Sequence, residues 1–323
     1  MMNKWLRSAV LASAAMVVTS AAAQGTDYPA RPVKIVVPLA AGGGVDVIAR
    51  LMAERLAFSL KQPFVVENRA GGSGTIGTEY VARSPGDGYT LLFTGNNHTL
   101  NPSLFKLRFD AHKDFMPISH TVNTYQILLA HPSTGISTVA DLIRVAKASP
   151  GKLAYGSAGS GTPGHVAGVV FEKMAGVSLT HVPYKGAGPA TNDLLGGQIQ
   201  LLFSSLPSAL PQVAAGRVKA LGISSAERSA LAPALPTIAE AGLPGYRQIT
   251  WFGLLAPTGT SEAIRRKLSE EIAEILKQPE VKQILQRNGM EAVGSTPVKF
   301  GEVLDAEFIA WPAFVKDTPI QVD

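Results

Sequence analysis

The chain has 323 residues, no cysteine and a formal net charge of +5, with 46% hydrophobic and 16% charged residues. This length predicts two lobes, and the composition is that of a globular α/β protein with an ample core, which excludes a disordered chain. The absence of cysteine excludes disulfides, thiolate metal sites and a lipid-modified cysteine anchor. The small, scattered positive charge argues against a nucleic-acid-binding protein.

Residues 1–23 have the pattern of a secretory signal peptide. Lys4 and Arg7 form its charged start, residues 9–19 form its apolar run, and cleavage is expected after Ala23. The apolar run is too short to span a bilayer, and no later segment reaches about 18 uninterrupted apolar residues. We therefore expect a mature chain that begins near Gln24, carries two fewer positive charges and lies outside the cytoplasmic membrane.

A strand, a loop of very small residues and a helix start follow one another in the first part of the mature chain. Val33–Val37 favours a strand, residues 41–44 carry little or no side chain, and apolar periodicity predicts a helix from Val45 to Leu60. Unpaired amide groups and the positive end of the helix dipole would favour a carboxylate or phosphate here, although a simple glycine turn is the alternative. Asp46 either caps the helix or accepts a hydrogen bond from a donor group of the ligand.

The next strand, Phe64–Glu67, is followed by a second glycine-rich loop. Gly72, Gly74 and Gly77 match the spacing of the dinucleotide-binding fingerprint. We reject dinucleotide binding, because the strand at 89–94 ends without the acidic residue that would hold a ribose.

The strand at 89–94 ends in Gly95, Asn96 and Asn97. The two asparagines could offer side-chain amides to a ligand in the same crevice. Asn-Asn is also ordinary turn chemistry, so the sequence leaves both interpretations open.

A long β-rich run at 118–129 changes character at Asn123, which predicts a crossing between lobes near 121–125. We therefore expect a first lobe from 24–122 and 250–323 and a second lobe from 123–249. Thr138 and Asp141 form a capping box that opens a helix. The remaining pattern predicts strands at 179–182, 199–203, 218–223 and 249–255, and helices at 237–241, from 261, around 280–287 and from 297.

The order of strand, small-residue loop and helix start seen at residues 33–60 recurs in the second lobe. A strand at 152–155, a loop of small residues at 156–164 and a helix from His165 to Ala175 predict a second helix start that faces the same cleft. Thr162 precedes Pro163, so its hydroxyl either caps its own helix or faces the ligand.

Polar residues in two further loops suggest additional contacts. Tyr184 could give a hydrogen bond and Lys185 a positive charge to a bound anion, with Gly186 beside them, although Lys185 is equally compatible with a solvated surface position. The strand at 199–203 ends at Ser204. Strand ends of this kind predict a polar, uncharged cleft.

The chain offers no catalytic or metal-binding pattern. No G-x-S-x-G motif surrounds Ser73, Ser157 or Ser160, no acid is spaced to orient His165, and the six histidines lie singly. We therefore expect neither catalytic residues nor a metal or other cofactor. A secreted hydrolase acting through Ser160 and His165 remains a remote alternative.

Several motifs, in order along the mature chain, resemble those of the tripartite tricarboxylate transporter receptors, or Bug-type periplasmic binding proteins. The motifs are residues 35–46, 67–77, 87–92, 181–186, 193–194, 236–242 and 251–254. The resemblance implies a two-lobed α/β fold of the type II periplasmic binding protein kind, each lobe a mixed sheet flanked by helices. It also implies a monomeric periplasmic receptor that closes on a small organic carboxylate and delivers it to membrane permease subunits. A sensor of the same fold that feeds a signalling system is the alternative.

In that family backbone amides and ordered water hold most of the ligand carboxylate. Carried over, and combined with the residue chemistry above, the resemblance gives these expected ligand-binding residues: Leu39, Ala40, Ala41, Gly42, Gly43, Asp46, Asn97, Ser157, Gly159, Ser160, Gly161, Thr162, His165, Tyr184, Lys185, Gly186 and Ser204. Leu39 departs from the family pattern, which often has Phe there, and so does Gly71-Gly72-Ser73-Gly74, where the family usually has Ala. We therefore transfer no particular ligand.

Overall fold

The computed structural model describes residues 28–184 and 186–317, so the predicted leader and Lys185 lie outside the described residues. Within these ranges strands and helices alternate along most of the chain. The strands are β1 (Val33–Val37), β2 (Phe64–Asn68), β3 (Thr90–Gly95), β4 (Phe115–Thr124), β5 (Gln126–Ala130), β6 (Ala154–Ser157), β7 (Thr180–Pro183), β8 (Leu201–Ser205), β9 (Lys219–Ile223), β10 (Thr250–Pro257) and β11 (Met290–Ala292). The helices are α1 (Gly44–Leu60), α2 (Thr75–Ala82), α3 (Asn97–Leu104), α4 (Val139–Ala148), α5 (Pro163–Ala175), α6 (Ala187–Leu195), α7 (Leu206–Ala214), α8 (Glu262–Lys277), α9 (Pro279–Arg287) and α10 (Pro297–Asp317).

Six strands form the first sheet, in the order β11-β4-β10-β3-β1-β2. Strand β1 pairs in parallel with β3 and with the edge strand β2, whereas β10 pairs antiparallel with both β3 and β4. Because β10 and β11 come from the last quarter of the chain, both ends of the chain build this sheet.

Five strands form the second sheet, in the order β7-β6-β8-β5-β9. Here β6 is parallel to β7 and β8, and β5 is antiparallel to β8 and β9. The chain leaves the first sheet at Thr124 and enters the second at Gln126, so Tyr125 alone separates the two. It returns between Ile223 and Thr250. The α/β prediction of two mixed sheets flanked by helices is confirmed.

Each sheet is buried between layers of helices. In α1 the apolar residues recur at intervals of three and four, and this stripe packs on the first sheet. Val45, Ile48, Met52 and Leu56 are its buried members. Helix α10 covers the other face of that sheet through Phe300. No helix in 28–184 or 186–317 combines the length and hydrophobicity that a membrane crossing requires.

A small apolar cluster joins the two halves. Leu100 of α3 and Trp311 of α10, which flank the first sheet, contact Val166 of α5, which flanks the second. Phe314 extends the cluster, and the ammonium of Lys173 lies 4.7 Å from its ring centroid. We call this group the cross-cleft cluster.

The structure corrects several predicted elements. Residues 237–241 form a hydrogen-bonded turn rather than a helix, because Gly242, with its φ of 138°, ends it at once. Helix α3 begins where only a loop is predicted, and α7 was missed because prolines 207 and 211 lie within it. Thr138 caps α4 as predicted, with the Asp141 amide donating to Thr138 Oγ1 at 3.0 Å, but the Asp141 carboxylate accepts from the Ser137 amide at 3.4 Å rather than from the Thr138 amide that a capping box requires.

Candidate functional site

The loop between β1 and α1 is held by the third residue of its own helix. Gly42 has a φ of 85°, a backbone conformation that glycine adopts without strain, and its amide donates to Asp46 Oδ2 at 2.9 Å. Asn68 Nδ2 donates to the other carboxylate oxygen at 2.8 Å, and Arg50 Nε donates at 3.0 Å. Burial acts to raise the pKa of Asp46, but these hydrogen bonds outweigh burial and hold its pKa below the ordinary value.

The loop between β6 and α5 has the same construction. Gly161 has a φ of 74°, and its amide donates at 2.9 Å to Nδ1 of His165, the third residue of α5. Burial, and then the neighbouring His181, lower the pKa of His165 to about 4, so the imidazole is neutral at neutral pH and can accept this bond. The His165 ring stacks on that of His181 with centroids 3.9 Å apart.

Both helix starts meet at one cavity of about 410 Å³ that lies between the sheets. Its lining residues from the first half are Leu39, Ala40, Gly43, Gly44, Val45, Asp46, Ser73, Gly95, Asn96, Asn97, Leu100, Asn101, Leu104 and Phe105. The second half supplies Ala158, Ser160, Gly161, Thr162, Pro163 and Val166, the segment that returns to the first sheet supplies Gln248, Thr250 and Phe252, and helix α10 supplies Trp311. The cavity is therefore shared by both sheets and by the segment that returns between them.

The two helix starts differ in the donors that they leave unpaired. The amides of Gly44, Val45 and Asp46 have no carbonyl ahead of them within α1, and no other acceptor appears among the described residues. In α5 the first helical residue is Pro163, which has no N–H, so the unpaired amides of its first turn are those of Gly164 and His165. The start of α1 therefore presents more donors to an anion than the start of α5.

Comparisons with known proteins place the chain in a family. The model of the tripartite tricarboxylate transporter family receptor matches residues 48–317. This chain belongs to the tripartite tricarboxylate transporter receptor family. It is 35% identical to the protein BugT of Bordetella pertussis over 294 residues, which are 90% of this chain and 90% of BugT.

Two similar solved structures contain carboxylates. One is R. palustris Rpa4515 with adipate, 36% identical, with a TM-score of 0.78, covering 90% of this chain and 98% of that one. The other is MatC from Rhodopseudomonas palustris with bound malate, 32% identical, with a TM-score of 0.75, covering 89% and 100%. The family predicted from the motifs is confirmed, and it is a family of solute-binding transport receptors rather than of enzymes.

The expected receptor contacts divide into those that line the cavity and those that do not. Leu39, Ala40, Gly43, Asp46, Asn97, Ser160, Gly161 and Thr162 line it. Ala41, Gly42, Ser157, Gly159, His165, Tyr184, Gly186 and Ser204 are not among its lining residues. Their ligand-binding role stays a prediction, and Lys185 lies outside the described residues.

Several of these predicted contact residues have hydrogen-bond partners within the protein. Ser157 Oγ donates to the Gly159 carbonyl at 2.9 Å and lies 2.7 Å from His181 Nε2. Ser157 is fully buried, whereas His181 is half-buried. Tyr184 donates its hydroxyl to Asp193 at 2.7 Å. Thr162 stands at the N-cap position but caps no amide, since its hydroxyl donates to the Gly159 carbonyl at 2.7 Å.

Asparagine side chains around α3 brace the cavity wall. Asn97 and Asn101 both donate to the Ser73 carbonyl, at 3.3 and 3.0 Å. Asn96 accepts from the Trp251 amide at 2.8 Å and donates to Glu307 at 2.7 Å. The amides of these asparagines are therefore engaged with protein groups.

Glu307 of α10 ties the wall to the strand that returns from the second sheet. Its carboxylate accepts from Asn96, from Thr99 Oγ1 at 2.5 Å and from Trp251 Nε1 at 2.9 Å. Burial raises the pKa of Glu307 even though these donors act in the opposite direction.

The sequence analysis did not identify the apolar residues of the cavity wall or the polar residues that the returning segment contributes to it. Leu100 and Leu104 belong to α3, which was not predicted, and Phe105 directly follows it; Trp311 reaches the cavity wall from α10. Gln248 and Thr250 are polar residues at the start of a strand that is otherwise apolar, and this was the available signal for them.

Proposed function

We propose that this receptor captures a small organic carboxylate in the cavity between its two sheets, with the carboxylate at the start of α1. The observation that carries the proposal is the set of unpaired amides at Gly44 and Val45, which belong to cavity-lining residues at the positive end of a 17-residue helix. Adipate and malate in two relatives support a carboxylate as the ligand class.

The start of α5 faces the same anion from the other lobe. Gly161 and Thr162 line the cavity beside the second helix dipole, so lobe closure would bring two partial positive charges to one carboxylate. We take the lobes to be 24–122 with 250–323 and 123–249, which agrees with the sheet crossings at Tyr125 and between 223 and 250. Ligand binding would then stabilise the closed form.

The leader at 1–23, with cleavage after Ala23, would export the chain to the periplasm as a monomer. There the liganded form would deliver its carboxylate to the membrane permease subunits of a tripartite transporter. The family assignment supports this route. Uptake of candidate acids by a deletion strain, with and without the gene restored, tests the transport step.

A proline substitution tests the role of the α1 amides directly. Gly44→Pro removes one donor, and the preceding Gly43 already has the extended backbone (φ −78°, ψ 166°) that a following proline requires. Thr162 precedes Pro163 with nearly the same geometry (φ −73°, ψ 162°), so the fold already contains this arrangement. Proline at the first helical position is tolerated.

Gly44→Ala is the matched control, because it adds a Cβ but keeps the amide. A Cβ there would meet the Met290 and Phe252 side chains at 3.2 and 3.3 Å, so both variants share this crowding. We expect isothermal titration with a panel of organic acids to show carboxylate binding that Gly44→Pro weakens at least tenfold relative to Gly44→Ala, since hydrogen bonds to charged groups contribute about 1.5–3 kcal/mol. Equal affinities in the two variants would contradict the proposal.

A further inference from the structure

Ser73 lies in the loop between β2 and α2 with a backbone conformation that serine rarely adopts. Its φ of 53° and ψ of 29° place it in the left-handed region, where a Cβ is unfavourable. Its neighbours Gly71, Gly72 and Gly74 also have positive φ, so a fourth glycine would fit here with less strain. Strain of this kind at a cavity indicates a side chain that has a function there.

Two side chains of α3 hold this strained residue in place. Asn97 Nδ2 and Asn101 Nδ2, which are one helical turn apart, both donate to the Ser73 carbonyl, at 3.3 and 3.0 Å. Asn101 is itself buried. The Ser73 backbone therefore has a fixed position, and a fixed position lowers the cost of ordering a side chain when a ligand binds.

The Ser73 hydroxyl is available to a ligand. Ser73 is exposed and lines the cavity between the sheets. Its carbonyl carries the two bonds from α3, whereas its Oγ has no hydrogen-bond partner within residues 28–184 and 186–317. Water can satisfy this hydroxyl in the empty receptor, and a ligand oxygen can replace that water in the loaded one.

The loop that contains Ser73 lies beside the loop that precedes α1. Because β1 pairs in parallel with β2 and β3, the loops that follow these three strands meet at one edge of the sheet. At Gly74 the backbone comes so close to the end of β1 that an added Cβ would lie 3.4 Å from the Pro38 carbonyl oxygen. Ser73 therefore lines the cavity on the same side as Gly44 and Val45, whose amides are unpaired.

We propose that Ser73 is a ligand-binding residue, and that its hydroxyl donates a hydrogen bond to an oxygen of the carboxylate at the α1 start. Hydrogen bonds to an ionised group are stronger than those between neutral groups, so a single hydroxyl contributes substantially to affinity. This contribution offsets the strain of a serine at a position that suits glycine. The inference rests on the proposed function, since it takes the α1 start to be the carboxylate site.

Two substitutions at Ser73 separate the hydroxyl from the backbone strain. Ser73→Ala removes the hydroxyl and keeps the Cβ, whereas Ser73→Gly removes both and relieves the strain. Isothermal titration with a panel of mono-, di- and tricarboxylates that includes benzoate, adipate, malate and citrate first identifies the acid that the parent binds most tightly. We expect both variants to bind this acid about tenfold more weakly, because each lacks one hydrogen bond to a charged group.

Melting temperatures of the ligand-free variants show that the lost affinity does not come from lost stability. Ser73→Gly should melt about 2 °C above Ser73→Ala, because glycine adopts a positive φ without strain. Weaker binding by the more stable variant is the result that a merely structural role for Ser73 does not give.

Lys61 provides a matched control. Its φ of 55° and ψ of 27° are nearly those of Ser73, but it follows the last residue of α1. At 1.5 Å per residue, a 17-residue helix places it roughly 25 Å from the α1 start. Lys61→Gly should exceed Lys61→Ala in melting temperature by a similar margin, and both should keep the affinity of the parent.

The outcomes distinguish this inference from the proposed function. Parental affinity in either Ser73 variant, or an equal loss of affinity in the Lys61 variants, would overturn the role of Ser73 and leave the proposed function intact. A parent that binds no acid of the panel would overturn both.

Discussion

Asp46 and His165 occupy the same position in the two halves of the molecule, and each accepts a hydrogen bond from the amide of a positive-φ glycine four residues earlier. A carboxylate does this in the first half and a neutral imidazole does it in the second. Each side chain thereby fixes the loop that precedes its own helix start. The shared geometry therefore comes from backbone requirements, and the two side chains give the two loops different responses to pH.

Removal of the Asp46 side chain should loosen the first loop. Asp46→Ala leaves the Gly42 amide without an acceptor and removes one of the two acceptors of Asn68 Nδ2, which still donates to the Leu39 carbonyl at 3.1 Å. We therefore expect a loss of about 2 kcal/mol in the free energy of unfolding and weaker carboxylate binding. Urea unfolding and isothermal titration measure the two effects. Asp141→Ala is the control, because Asp141 is also the third residue of its helix and accepts from the Ser137 amide, but at an exposed site far from the cavity. It should cost less stability and leave affinity unchanged; equal affinity losses in both variants would contradict this role.

The neutral state of His165 predicts a specific dependence of stability on pH. Its pKa is about 4 in the folded protein against an ordinary value of 6.5, so between these values the unfolded chain binds more protons than the folded one. Stability should therefore fall as the pH drops from 6.5 to 4. His98 changes in the same direction, because burial lowers its pKa to about 4 as well.

His165→Asn separates the contribution of His165 from that of His98. Asparagine can place an acceptor near the position of Nδ1 but does not titrate, so the slope of unfolding free energy against pH should decrease by up to about 1.4 kcal/mol per pH unit. Chemical denaturation at pH values from 4 to 7 measures the slope. A variant with an unchanged slope would show that His165 is not the group responsible.

The left-handed glycine in the first loop should matter for binding beyond its cost in stability. Gly42→Ala forces a side chain to adopt a φ of 85° in open space, and Gly135→Ala does the same at 67°, also in open space. Each should lose about 1 kcal/mol of stability, but only Gly42→Ala should weaken carboxylate binding, because Gly135 lies in a turn away from the cavity. Thermal unfolding and titration of both variants check this; similar affinities would show that the loop tolerates the strain without moving.

The Glu307 carboxylate should hold α10 to the returning strand. Glu307→Gln replaces one acceptor oxygen by an NH₂ group that faces Asn96, Thr99 and Trp251 donors, so we expect a loss of about 1–3 kcal/mol in the free energy of unfolding. Glu302→Gln, on the exposed side of the same helix, should change stability little. Urea unfolding measures the free energy of unfolding of the two variants, and equal stabilities would contradict the role given to Glu307.

The raised pKa of Glu307 means that the folded state retains a proton more readily than the unfolded state. This group therefore stabilises the fold below pH 4.5 and loses that contribution as the pH rises through its folded pKa.

The strand, loop and helix units could be predicted from the sequence because each is local. The apolar run at Val33–Val37 and the small residues after it specify β1 and the α1 start without reference to the rest of the chain. The same holds for the loop at Gly161. The crossing near Tyr125 also followed from local pattern, because a single β-rich run exceeds the length of one strand.

The wall of the cavity depends on distant packing and could not be predicted in this way. Trp311 is separated from Val166 by 145 positions in the sequence, and only the folded arrangement of α10 against α5 brings them together. Gln248 and Thr250 have no motif of their own. Their place at the cavity depends on the path by which the chain returns to the first sheet, which a sequence does not display.

The cross-cleft cluster affects how often the receptor closes without a solute. Leu100, Val166, Trp311 and Phe314 attract one another through protein groups alone, so they favour the shut arrangement whether or not a solute is inside. Binding of a weakly interacting solute then has to supply less free energy to populate the closed conformation, which raises the apparent affinity for that solute. The same bias shuts some empty molecules, and these would compete with loaded ones for the transport machinery.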